Sequence, residues 1–355
     1  MKIIITSPSL NTDQNVSGIS SVTKFITQNN PAVEYIHFEL GRRDNDVRDI
    51  YWLLRNIKMY FKWIFYLTIR KGEMVHFNFA VDKFGLLRDL PLIVFAKITG
   101  KRIILHLHGG EYLLDKNAPR WIRFLLKIAL WGNPPAIVLS TKEAGVLEEK
   151  YKCKKLFVLP NCIDLKDAKL FQRKNDDGIL KLLFMGRIST KKGIEYILTA
   201  LQNLRQQGYL FEFYLAGKGP DEMEYIQKFE SILGTAFIFK GVVSGESKSD
   251  LLKYCNVFLL PSFFEGLPIA LLESMAYGLV PVVTPVGSIN DLIEDGENGL
   301  IVNIRSAEDI ENAIKKLIEN FGLRQVLSNN ARAYIFKNYD PGQYINTLNS
   351  IYRNE

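Results

Sequence analysis

Short apolar runs recur along the first half of the chain at residues 3–6, 35–38, 74–79, 103–107, 136–139 and 156–159, with longer helical patterns between most of them. This alternation predicts a parallel sheet with helices on its faces. Residues 165–178 interrupt it: they are rich in charge, poor in large apolar side chains, and read as a linker. The alternation restarts at 181–185, 211–215, 236–239, 257–260, 280–283 and 300–302. Two doubly wound α/β domains are expected, over residues 1–164 and 179–335. Ligands of such sheets bind at the carboxyl ends of the strands. The cleft between the two domains is therefore the expected active site.

One segment of the second domain is the most informative. The apolar run 257–260 ends in Pro261-Ser262, and the chain continues Glu265-Gly266-Leu267-Pro268-Ile269-Ala270-Leu271-Leu272-Glu273. A buried strand thus gives way to a polar loop and then a short helix, with Pro268 suited to its first turn and Gly278 to its C-terminal cap. Gly266 lets a bulky anion approach the backbone, and the first-turn N–H groups of Leu267, Pro268's successor Ile269 and their neighbours point at it. Glu273 lies one turn beyond Ile269 on the same helical face. A carboxylate there cannot share a phosphate site, but it can accept hydrogen bonds from sugar hydroxyls beyond it. The pattern reads as a site for a nucleotide sugar.

Other strand ends carry candidate groups. The run 181–185 leads into Gly186-Arg187-Ile188-Ser189-Thr190-Lys191-Lys192-Gly193, where one or two cations beside a glycine-bearing loop can neutralise a diphosphate without a metal ion. A solvated basic turn is the plainer alternative. Gly18, in Asn15-Val16-Ser17-Gly18-Ile19-Ser20, could let the first strand's loop approach phosphate, a weak signal on its own, as is Gly217-Lys218-Gly219-Pro220. Of the four histidines, His37, His76, His106 and His108, three are read as marking strand ends. His106 and His108 are expected on opposite faces of the strand, so that at most one enters the cleft. His108, adjoining Gly109-Gly110, is the better candidate for the site.

Composition narrows the class. At 355 residues and 47% hydrophobic content, there is material for two cores. Cys153, Cys162 and Cys255 have neither metal nor redox spacing, which suggests a reducing compartment. The opening run is too short for a signal-peptide core, and no apolar stretch of about 18 residues occurs, so a cytoplasmic, non-spanning protein is expected. The net charge of +7 favours anionic partners. Asp44-Asn45-Asp46 is a D-x-D, a spacing that holds a divalent metal in another class of sugar transferases. Flanked by Arg42, Arg43 and Arg48, it reads here as a cap or solvated loop, and no metal site is expected.

Taken together, Glu265-x7-Glu273 with Ser274-Met275-Ala276, Gly186-Arg187 and Lys192-Gly193 resemble the family 4 retaining glycosyltransferases of bacterial surface-polysaccharide assembly. Pro160-Asn161-Cys162-Ile163-Asp164 is similar to that family's P-N-G-I-D turn, with Cys162 in place of glycine. The resemblance spans essentially the whole chain and implies the GT-B architecture, two Rossmann-like domains facing across a cleft. It also implies that the last segment, 336–355, carries a helix crossing back to the first domain. By the same resemblance, Arg187 and Lys192 hold the donor diphosphate and Glu273 the ribose hydroxyls. Glu265 and the following amides hold the transferred sugar and distal phosphate, and His108 lies near the sugar. The donor would be a nucleoside-diphosphate sugar, with a UDP-sugar favoured, and no further cofactor is implied. Transfer would retain the anomeric configuration, and Arg187 and Lys192 would stabilise charge growing on the leaving diphosphate. No protein nucleophile is assigned.

Two segments bear on the acceptor. Residues 51–71 contain Arg55, Lys58, Lys62, Arg70 and Lys71, no acidic residue, and Tyr51, Trp52, Tyr60, Phe61, Trp63, Phe65 and Tyr66. Arg120, Arg123 and Lys127 form one stripe of a helical pattern that also carries Trp121, Phe124, Leu125 and Trp131. Basic, aromatic, amphipathic helices suit an anionic membrane surface, while ordinary sheet-covering helices would account for most of the apolar positions. A lipid-linked saccharide acceptor and a peripheral place at the inner face of the cell membrane follow from the first reading. Two other classes fit less well. A nucleotide-sugar epimerase would share the architecture, but Glu265-x7-Glu273 argues against it. An anion- or nucleic-acid-binding protein could use the positive charge, but no nucleic-acid module is recognisable.

Overall fold

All twelve apolar runs become strands of two six-stranded parallel sheets. In the computed structural model, the described residues are 1–41, 43, 49–69, 73–110, 112–115, 117–173 and 178–354. Asp44, Asn45 and Asp46, with Arg42, Arg48, Arg70 and Lys71, lie outside them. The chain divides into two units, Met1–Asn161 with Tyr344–Glu355, and Cys162–Gln343.

The first unit contains β1 (Lys2–Ser7), α1 (Gly18–Asn29), β2 (Glu34–Glu39), α2 (Ile50–Ile69), β3 (Met74–Phe79), α3 (Lys83–Ile98), β4 (Ile103–Leu107), α4 (Arg120–Ala129), β5 (Ala136–Val138), α5 (Thr141–Tyr151) and β6 (Leu156–Val158). Its sheet order is β2-β1-β3-β4-β5-β6, so the order reverses between β1 and β3. Every residue of β3 and β4 is buried, as expected for strands covered on both faces. Trp63 and Leu67 of α2, Leu86 and Ile93 of α3, Ile122 and Leu126 of α4 and Leu147 of α5 share one core with Val75, Phe77 and Leu105. Four helices therefore cover one face of this sheet. Trp63 is fully buried, and its indole N–H donates to the Leu92 carbonyl at 3.1 Å, satisfying the one polar group it brings inside.

The second unit contains α6 (Lys166–Leu170), β7 (Leu180–Met185), α7 (Ile194–Gln206), β8 (Phe211–Ala216), α8 (Glu222–Leu233), β9 (Phe237–Gly241), α9 (Gly245–Tyr254), β10 (Val257–Leu260), α10 (Ile269–Ala276), β11 (Val280–Val283), α11 (Ile289–Leu292), β12 (Leu300–Ile301), α12 (Ala307–Glu319) and α13 (Phe321–Asn338). Its order, β12-β11-β10-β7-β8-β9, reverses between β7 and β10. In open α/β sheets ligands bind at the carboxyl ends of the strands where the order reverses, here β7 and β10. Within the stretch read as a linker, Arg173 donates to the carbonyls of Tyr277 and Leu252, both at 2.9 Å, fastening it to this unit. Cys162 needs no glycine-like backbone: its φ is not positive, and its buried thiol faces the Ile163 and Tyr339 carbonyls.

The last helix, α14 (Pro341–Arg353), contributes Tyr344–Glu355 to the first unit. Tyr344 packs edge-on against Phe25 at 5.7 Å between ring centroids. Asn349 and Asn30 exchange two side-chain hydrogen bonds, at 2.8 and 3.2 Å. Tyr352 is fully buried.

Candidate active site

In the second unit the loops after β7, β10 and β11 are stitched together by backbone contacts too close for side chains. The chain leaves β7 through exposed Arg187 and a single 3₁₀ turn, Thr190–Lys192, and reaches Gly193 at φ +72°. A Cβ on Gly193 would stand 2.0 Å from the Pro261 carbonyl oxygen, so the β7 loop can lie against the β10 loop only with glycine here. The Phe263 N–H donates to the Lys191 carbonyl at 3.0 Å, closing the same junction. On the other side, Gly287 at φ +56° would place a Cβ 2.0 Å from the Glu265 carbonyl, and the Ser288 N–H donates to the Gly266 carbonyl at 3.0 Å.

This frame holds two carboxylate–ammonium pairs. Lys192 Nζ lies 2.5 Å from Glu265 Oε1, and the Ser262 hydroxyl donates to that same oxygen at 2.7 Å. Glu265 is nearly buried, so the cation and the hydroxyl replace the water it has lost. Lys248, on α9, places its Nζ 2.5 Å from Glu273 Oε1 on α10. Both pairs keep part of their surface in solvent. Gly266, Leu267, Pro268 and Ile269 lead from the first pair into α10, which begins at Ile269; Pro268 is its N-cap, one residue before the first turn, where its missing N–H is equally harmless. Gly278 takes φ +75° just past the helix end, the left-handed conformation expected of it.

Lys248 and Ser262 escaped the sequence reading. Lys248 lies 25 residues before Glu273 on another helix, and only the folded chain brings the two side chains together. Ser262 stood in the quoted segment, but a lone serine carries no signal until its carboxylate neighbour is fixed.

In the first unit, Gly18 is the exposed first residue of α1, behind Ser17, whose hydroxyl caps the helix by accepting from the Ser20 N–H at 3.2 Å. His106 and His108 do not part to opposite faces. Their ring centroids are 4.1 Å apart, because positions two apart line the same face of a strand; β4 ends at Leu107, and Gly109 and Gly110, both at positive φ, follow. His76 is mid-strand in β3 rather than at a strand end, and His37, within β2, is held 2.9 Å from Ser7 Oγ. Asn78 uses its amide N–H groups on Thr6 and Thr23, which leaves its oxygen to accept from His108 Nε2 at 2.6 Å and assigns that tautomer. Burial, reinforced by nearby His76, pushes His108 down to about 3, so it acts as a neutral hydrogen-bonding group.

A polar chain runs behind it. The Tyr35 hydroxyl donates to Tyr352, whose oxygen is 2.6 Å from His76 Nδ1, and His76 Nε2 is 3.1 Å from His106 Nδ1. These directions put the proton of His76 on Nε2 and that of His106 on Nε2, where, among the described residues, it has no partner. Burial lowers His76 to about 3 and also holds His106 well below the usual imidazole range.

The outer surface of the helices covering this sheet is unusually apolar. Tyr51, Phe61 and Phe65 of α2 are 76%, 68% and 65% exposed, while Trp63 and Leu67 of the same helix point inward. Phe84 and Leu87 of α3, Trp121 and Phe124 of α4, and Trp131 just past α4 are exposed as well. Among the described residues, no helix is long and apolar enough to cross a membrane, and no group of three or more His, Cys, Asp or Glu residues could hold a metal ion.

Two parallel six-stranded sheets with both carboxylate pairs at one switch point define a GT-B type α/β protein, and solved structures agree. Sucrose-phosphate synthase from Thermosynechococcus elongatus superposes with a TM-score of 0.79 at 17% identity, covering 99% of this chain and 98% of that one. Anabaena Alr3699/HepE, solved in complex with UDP-glucose, gives 0.75 at 16% identity over the full length of both chains. At such identities the likeness establishes the fold. In sequence, residues 166–334 match the family described as glycosyl transferases group 1. Alpha-D-kanosaminyltransferase of Streptomyces kanamyceticus is 26% identical over 85% of this chain and 81% of that protein. Amylovoran biosynthesis glycosyltransferase AmsK of Erwinia amylovora is 29% identical over 64% of this chain and 56% of that protein.

Proposed function

We propose that this glycosyltransferase moves a sugar, with retention, from a nucleoside-diphosphate sugar to a lipid-linked saccharide in cell-surface polysaccharide assembly, without a divalent metal. One observation carries the donor reading: Lys192–Glu265 and Lys248–Glu273 bracket a helix N-terminus at the switch point of the second sheet. The first-turn amides of α10 suit a phosphate, Arg187 and Lys192 supply positive charge to the leaving diphosphate, and Glu273 accepts from ribose hydroxyls. Glu265 positions the transferred sugar, and neutral His108, whose Nε2 proton is committed to Asn78, is left to accept a hydrogen bond at Nδ1. The leaving phosphate oxygen takes the acceptor hydroxyl's proton on the same face of the sugar. UDP-glucose in HepE and the polysaccharide role named for AmsK support a UDP-sugar and a saccharide acceptor. The exposed aromatic and basic face of α2, α3 and α4 supports a peripheral place at the cytoplasmic face of the membrane.

Incubation with labelled nucleotide sugars and no acceptor tests this reading. Slow hydrolysis of one donor, releasing the sugar first as the anomer it had in the donor, is expected. Interconversion of nucleotide sugars would point to an epimerase, and complete absence of turnover to a binding protein.

A further inference from the structure

Arg120, Arg123, Phe124 and Lys127 of α4 meet Lys150 and Tyr151 of α5 around an open recess of about 450 Å³ on the first unit. Four cations line it and no carboxylate does, and none of the four is ion-paired among the described residues. Lys127 and Lys150 lie in the last turns of α4 and α5, where a helix favours cations, but helix stability does not explain the two arginines. Arg120 and Arg123 occupy the first turn of α4, where the positive end of the helix disfavours cations, and that turn contains no acidic residue and no side-chain cap. The charges therefore add to the helix's own positive end instead of cancelling it. Arg123 also lies close enough to Tyr151 to act on its phenol electrostatically, so the α4 and α5 walls share one positive field.

We infer that this recess is a binding site for the phosphate group of an anionic lipid headgroup. Guanidinium groups match phosphate oxygens in pairs, and two lysines supply further point charge. Phe124 in the recess wall is 62% exposed, and Trp121 on the same helix and Trp131 just past it are 42% and 65% exposed, which suits an apolar–aqueous boundary and is wasteful around a site for a soluble phosphate. The inference rests on the membrane-surface reading above and adds a defined headgroup contact, distinct from the diffuse attraction of basic residues on α2.

The test uses the full-length protein and vesicles of phosphatidylcholine with and without phosphatidylglycerol, at low salt. A variant carrying Arg123→Ala, Lys127→Ala and Lys150→Ala is compared with a charge-matched one carrying Lys58→Ala, Lys62→Ala and Lys83→Ala. Loss of vesicle affinity of about tenfold or more in the recess variant, and about threefold or less in the other, is expected. Acceptor-free donor hydrolysis should match wild type in both, which shows that the variants are folded. Equal losses in the two variants would overturn the recess and leave the membrane reading standing. Failure of the wild-type protein to bind anionic vesicles would overturn both. Inorganic phosphate or pyrophosphate raising the melting temperature of wild type, but not of the recess variant, with no vesicle binding by either, would make it a site for a soluble phosphate instead.

Discussion

Lys192 and Glu265, 73 residues apart in sequence, meet at 2.5 Å and join the loops that follow β7 and β10. The pair spans the point where the strand order of the second sheet reverses, so each partner holds the other where a donor would lie. If Lys192 also stabilises the leaving diphosphate, Lys192→Met should lower turnover by about 100-fold, the scale for removing one donor from a developing oxyanion. Nucleoside-diphosphate affinity should change far less, because the benefit grows with charge in the transition state. Lys192→Arg should recover part of the loss. Acceptor-free hydrolysis rates, set beside calorimetric nucleotide affinities, separate these effects. Unchanged turnover with a lowered melting temperature would reduce Lys192 to a structural partner of Glu265.

Metal independence makes a second prediction. With Arg187 and Lys192 supplying the positive charge, activity should persist in excess chelator, and Asp44→Ala with Asp46→Ala should retain it. Abolition by chelator with restoration by manganese or magnesium would contradict this and return the D-x-D to consideration.

Acid should weaken the first unit in a defined way. His76 and His108 are lowered to about 3 in the folded protein, and burial lowers His106 as well, against roughly 6.5 in an unfolded chain. The unfolded state thus binds more protons between those values. The contribution of these neutral histidines is fully present above pH about 6.5 and is lost progressively as pH falls toward 3. Each group steepens the decline by at most about 1.4 kcal/mol per pH unit. His106→Gln removes one titrating ring while keeping an acceptor for His76, so its stability should fall less steeply between neutral pH and about 4. Denaturant midpoints across that range would reveal it, and parallel curves would show that the histidine cluster does not control acid stability.

Backbone architecture was largely legible in the chain, because buried parallel strands must be apolar on both faces and announce themselves as short runs. Residues 74–79, 103–107, 257–260 and 280–283 are strands with the same limits as the runs that predicted them. Side-chain partnerships were not legible. Nothing local distinguishes Lys248 from its neighbours on α9, and its value comes from a helix 25 residues on. The expectation that His106 and His108 part to opposite faces fails because the side-chain period of a strand is two, so positions 106 and 108 share a face. In α2, the aromatics split between core and surface: Trp63 is fully buried and Phe65 is not, although composition treats them alike.

The nucleotide assignment of Glu273 is the central claim, and calorimetric titration of a nucleoside diphosphate into wild type and Glu273→Ala tests it most directly. Lys248 fixes this carboxylate at 2.5 Å, so under the proposed assignment it would meet ribose hydroxyls without first being ordered. The substitution should weaken binding by about 1.5–3 kcal/mol, the range for hydrogen bonds to a charged group. A nucleotide lacking the 2′ and 3′ hydroxyls should bind both proteins with equal, weakened affinity. Equal affinity of wild type and Glu273→Ala for the ordinary nucleoside diphosphate would contradict the account.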